Sequence, residues 1–73
     1  MIFELWHTKA DNSLSYFARD ADYATKRDLL GPNSELLWTY SAKSYFDAMR
    51  ARNEHLGWNP YVPEADWEDE VYE

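Results

Sequence analysis

The stretch Ile2-Phe3-Glu4-Leu5-Trp6-His7-Thr8-Lys9-Ala10-Asp11-Asn12-Ser13-Leu14-Ser15-Tyr16-Phe17-Ala18-Arg19 decides the fold of this chain. Side chains alternate between the two faces of a strand. Phe3, Leu5 and His7 therefore share one face, and Ile2, Glu4 and Trp6 the other. Both sets are largely apolar, which marks Ile2 to Thr8 as a central strand covered at least partly on both faces. Lys9-Ala10-Asp11-Asn12 interrupts it with turn-forming residues. Ser13 to Arg19 then alternates again, with Leu14, Tyr16 and Ala18 against Ser15, Phe17 and Arg19. The short polar connection makes the pair an antiparallel hairpin.

Beyond the hairpin, Asp20-Ala21-Asp22 supplies N-cap candidates for a short helix over Asp22 to Leu30. Tyr23, Arg27 and Leu30 stack on it at i, i+4 and i+7. Gly31-Pro32 stops it, because glycine suits a left-handed terminus and proline cannot continue a helix. Glu35 to Ala42 forms a third strand, with Leu36, Trp38 and Tyr40 alternating with Leu37, Thr39 and Ser41. A second helix begins near Ser44, where Ser44-Tyr45-Phe46-Asp47 resembles a capping box with Asp in the usual Glu position. Gly57 ends it. If strand two, helix one and strand three make a right-handed crossover, strands two and three run parallel with a gap that strand one fills. The expectation is an α+β fold: ββαβα, a three-stranded antiparallel sheet of order 2-1-3, and helices on one face. Strands two and three are then edges, which makes a homodimer through an edge strand conceivable.

The 73 residues allow one domain and include 14 acids, 7 bases and no cysteine, for a net charge of −7. So short a chain buries only about 60% of its unfolded surface, so its thirteen aromatics must supply much of the core. Absent cysteine excludes disulfides and cysteine metal staples, and fits a cytoplasmic setting. No run approaches the roughly 18 apolar residues of a membrane span. Met1-Ile2-Phe3-Glu4 lacks the basic start of a signal peptide. Negative charge disfavours direct nucleic-acid or membrane binding. The acidity is unevenly placed. Residues 64–73 hold six acids and no base, leaving eight acids against seven bases in residues 1–63. That composition reads as a mostly disordered tail behind a single compact domain of residues 1–63.

Two groups of segments carry a resemblance. Glu4-Leu5-Trp6-His7-Thr8 with Asn12-Ser13-Leu14-Ser15-Tyr16-Phe17, and His55-Leu56-Gly57-Trp58-Asn59-Pro60-Tyr61-Val62-Pro63, resemble a group of very small uncharacterised bacterial proteins. The resemblance spans most of residues 2–63 and none of the tail. It implies a bacterial or phage source and a stand-alone domain. No activity, ligand or site comes with it.

Few residues suggest chemistry. His7 and His55 lack metal-ligand spacing, and His55 has a helix-terminus role available. Two glycines beside helix ends leave no phosphate loop, and no serine sits in a nucleophile elbow. The chain is therefore expected to be non-enzymatic, with no catalytic residue, metal or cofactor. Lys43, Asp47, Arg50 and Glu54 alternate in sign along helix two, a ladder of surface ion pairs. Trp58 and Tyr61, on a proline-rich extended arm, are expected to pack back on the sheet; exposed, they would form a partner patch. In the tail, Trp67, Glu68, Asp69, Glu70 and Tyr72 combine carboxylates that steer toward a basic surface with aromatics that anchor there. The leading expectation is a protein-binding module for a basic partner. One rival is a nucleic-acid-mimicking inhibitor of phage or mobile-element type. The other is a small metal protein or enzyme using His7 and His55.

Overall fold

The two-sided apolar pattern of the first strand is realised as the middle of a sheet. The computed structural model describes residues 1–72. Its elements are β1 (Ile2–Thr8), β2 (Ser13–Ala18), α1 (Tyr23–Leu30), β3 (Ser34–Ser41), α2 (Tyr45–Leu56) and a 3-10 helix (Asp66–Asp69). The strands form one antiparallel sheet in the order β2-β1-β3, the α+β arrangement that the connection rules lead to. Each strand and helix end lies within one residue of its expected place; β2 stops at Ala18, one residue before Arg19. Two compact units make up the chain, Ile2–Tyr40 and Met1 with Ser41–Glu73.

In the first unit β1 pairs with β2 from Phe3↔Ala18 to Thr8↔Ser13. The β1 end meets β3 through Lys9 N–H on the Asn33 carbonyl at 3.0 Å and a Thr8–Ser34 hydroxyl bond of 2.9 Å. Phe3, Glu4, Leu5 and Trp6 are all buried. Around Leu5 runs a row of stacked rings: Phe3 on Tyr16 (5.3 Å), Tyr16 on Trp38 (6.4 Å) and Trp38 on Tyr40 (5.5 Å). Each such pair adds about 0.5–1.5 kcal/mol beyond the area it buries. The opposite face carries Glu4, Trp6 and Phe17, and α1 lies over it. No residue of α1 is fully buried. The helix is held by Tyr23, against Phe17 at 6.0 Å, and by Arg27, whose guanidinium sits 4.1 Å from the Trp6 ring centre. Gly31 ends α1 at φ 75°, ψ 179°, a conformation closed to residues with a Cβ.

In the second unit Ser44 caps α2, its hydroxyl accepting from Asp47 N–H at 3.0 Å. The Asp47 carboxylate reaches back to Lys43 N–H at 3.1 Å, one residue before the cap. Asp is one methylene shorter than the usual Glu, and the reciprocal bond lands on a different amide. The ion-pair ladder forms in part: Arg50 bridges Asp47 (2.7 Å) and Glu54 (2.8 Å). At the far end Gly57 takes the left-handed conformation, and its amide and that of Trp58 close on Glu54 and Asn53 carbonyls, a Schellman ending. Ala48, Met49 and Ala51 are the buried apolar residues of α2. Tyr61 packs on Phe46 of α2 at 6.0 Å, while Trp58 and Val62 are exposed.

The acidic stretch departs from the expected disordered tail. Asp66–Asp69 is helical, Val71 bridges antiparallel to Ser44, and Tyr72 N–H donates to the Lys43 carbonyl at 2.7 Å. Glu73 lies outside the described residues. The cause is local: one of the six carboxylates, Glu68, turns inward and is fully hydrogen-bonded, and Trp67 rests on Tyr45 with ring centres 5.1 Å apart. Charge composition alone overstates repulsion when a carboxylate caps backbone amides instead of facing water. Among the described residues no helix is long and apolar enough to cross a membrane.

Candidate partner-binding surface

Of the residues singled out for binding, Glu68 and Tyr61 build the surface, Trp67, Glu70 and Tyr72 line it and Asp69 adjoins it in sequence, whereas Trp58 follows the opposite end of α2. Glu68 is 3% exposed. Its Oε2 accepts from Glu64 and Ala65 N–H, both at 2.8 Å, and Tyr61 donates its hydroxyl to Oε1. The Tyr61 hydrogen bond and the two amides outweigh burial and hold the Glu68 carboxyl below its ordinary value. The same bond, helped by burial and nearby negative charge, pushes the Tyr61 phenol up to about 12. Ala65 offers no side-chain acceptor, so only the carboxylate half of a capping box exists here.

This anchor fixes the turn that carries Trp67. Trp67 is 56% exposed although one side of its ring is seated on Tyr45. A cleft of about 320 Å³ lies between Tyr45, Trp67, Glu70, Val71 and Tyr72. Asp69 and Glu70 are exposed, and Val71 is largely so. The result is an aromatic slot with carboxylates beside it, composed of side chains already held in place. Trp58, on the proline arm, is exposed and carries the Arg52 guanidinium at 5.3 Å from its ring centre.

The histidines do not form a joint site in either unit. His7 Nε2 shares a 2.8 Å hydrogen bond with Asn12 Oδ1, and its Nδ1 lies 3.9 Å from Glu35. Asn12 sits at φ 56° in the hairpin turn, so this bond braces the loop. His55 is exposed in the last turn of α2. Among the described residues no group of three or more His, Asp or Glu side chains is placed to hold a metal.

A second carboxylate cluster escaped the sequence reading. Glu4, 1% exposed in mid-strand, accepts from Trp6 Nε1 (2.8 Å), Arg19 Nε (2.6 Å) and the Tyr23 hydroxyl, which lies 3.1 Å from both oxygens. Burial is the largest single influence and pushes its carboxyl up. The hydrogen bonds from Trp6, Arg19 and Tyr23, with the Arg19 charge, together overcome it and bring the group below its ordinary value. Both oxygens of the carboxylate accept hydrogen bonds, so the cluster joins β1, the end of β2 and α1. A Glu between two apolar neighbours in a central strand is the signal that could have found it.

No protein-family model, curated protein or solved structure matches this chain.

Proposed function

We propose that the protein is a protein-binding module that docks a basic surface through its C-terminal segment. The observation that carries this reading is the half-exposed Trp67, held over Tyr45 on a turn that Glu68 pins from beneath. A large apolar ring kept at the surface in a fixed pose loses little entropy on binding, and Trp is the residue most enriched among interface hot spots. Asp69 and Glu70 beside it supply long-range attraction for a positively charged partner. Val71 and Tyr72 extend the apolar contact.

The test uses the full chain against an array of short basic peptides that also carry apolar residues. Peptides retained by the wild-type chain are expected to lose at least about tenfold in affinity against Trp67→Ala, the cost of one central aromatic anchor. Neutralising Asp69 and Glu70 to Asn and Gln is expected to slow association and to flatten its salt dependence. Equal binding by Trp67→Ala, or retention of no peptide at all, overturns the reading.

A further inference from the structure

The 3-10 helix also borders a second cleft. It measures about 500 Å³ and is lined by Phe46, Pro63, Glu64, Ala65, Asp66 and Asp69. Tyr45 and Phe46, successive residues of α2, each supply an aromatic wall to one of the two clefts. Phe46 is fixed by Tyr61, which Glu68 holds in turn. The lining combines an aromatic residue, a proline and an alanine with three acidic residues. Arg19, Lys26, Lys9 and Arg50 pair with other acids, namely Glu4, Asp20, Glu35, and Asp47 with Glu54. Glu64, Asp66 and Asp69 thus bring uncompensated negative charge to a cleft with an aromatic wall.

We propose that this cleft receives the guanidinium of an arginine side chain on the protein partner. This rests on the docking reading above and names the group that gives the partner its basic character. A planar guanidinium stacks on an aromatic face while its fork of donors meets carboxylates bidentately. Its aliphatic stem matches Pro63 and Ala65. A lysine ammonium gains the charge but neither the stacking nor the fork. A hard divalent cation takes an all-oxygen shell and gains nothing from Phe46. The partner segment that fits both clefts therefore places an arginine on Phe46 and an apolar side chain beside Trp67.

The experiment is an NMR titration of the isotope-labelled full chain with blocked single amino acids, N-acetyl-arginine methylamide against N-acetyl-lysine methylamide. The arginine derivative is expected to shift the Phe46 ring, the Ala65 methyl and the Asp66 and Asp69 amides, and to bind about fivefold more tightly than the lysine derivative. Asp66→Asn with Asp69→Asn is expected to weaken it about tenfold, and Leu29→Ala, exposed on α1, to leave it unchanged. Equal affinity for lysine, unchanged binding by the double variant, or shifts as large at the exposed Asp11, Asp22 and Asp28 overturn the assignment. If basic peptides require Trp67 yet the arginine derivative leaves Phe46 and Ala65 unmoved, the arginine cleft fails and the docking surface stands. If neither binds, both fail.

Discussion

Replacing Glu4 with glutamine tests the buried cluster that joins β1, β2 and α1. The carboxylate accepts from Trp6, Arg19 and Tyr23 and is almost fully buried. Glutamine keeps one acceptor oxygen and turns the other into a donor. One hydrogen bond at least is lost, and a donor then faces a donor. A bond to a charged group contributes about 1.5–3 kcal/mol, and a buried group left unsatisfied costs a similar amount. The Arg19 side chain is 44% exposed and rehydrates, which lowers the total. The expected cost of Glu4→Gln is about 2–3 kcal/mol. In a domain of this size each kcal/mol moves the melting midpoint by roughly 4–8 °C, so the variant should melt about 10–20 °C lower. Thermal unfolding followed by circular dichroism reads this directly.

The same substitution has a signature in pH. The folded-state carboxyl of Glu4 lies below its ordinary value, so its stabilisation is complete above the unfolded carboxylate range and is lost as pH falls through the folded value. Wild-type stability should fall below about pH 5, and Glu4→Gln should flatten that acid slope. A variant that melts within about 3 °C of wild type and keeps the same acid slope would refute the reasoning.

Tyr61→Phe should lower the urea midpoint at neutral pH and remove one alkaline transition. Because the Tyr61 phenol is raised to about 12, its stabilisation is complete below its unfolded value and disappears as pH rises through the folded one; midpoints at about pH 7 and 11 compare the full stabilisation with its partial loss. Gly57→Ala should cost about 1–2 kcal/mol, the left-handed penalty alone, since no atom within 4 Å would meet the added methyl. Gly31→Ala should cost more, up to about 3 kcal/mol, because ψ 179° takes it outside the left-handed basin; chemical denaturation ranks the two. Ser44→Ala should cost about 1 kcal/mol by the same assay, through loss of the bond that Asp47 N–H donates to the cap.

The sheet was legible because its signals are local and periodic. Two apolar faces on Ile2–Thr8 mark a central strand, and the crossover rule then leaves one order. Gly31 and Gly57 closed the helices where expected because positive φ is a backbone property that one residue reports. The candidate site was legible in its residues but not in how they are arranged. Trp67, Asp69, Glu70 and Tyr72 stand out by composition. The inward turn of Glu68 does not, because its partners are two backbone amides and a phenol seven residues upstream. Glu4 was hidden for the same reason: alternation assigns it a face but cannot show that Arg19 and Tyr23 converge on it. The proline arm was read as a whole, yet its residues part company. Tyr61 finds Phe46 and Glu68, while Trp58 and Val62 stay exposed.

Both proposals require that the acidic aromatic segment be a folded surface rather than a detached tail. Backbone ¹⁵N relaxation of the free full chain measures this at each amide. Order parameters for Trp67 through Tyr72 should match those of α2, near the rigid-backbone value of about 0.85. Values below about 0.6 across the same residues, with α2 rigid, would contradict a preformed docking surface.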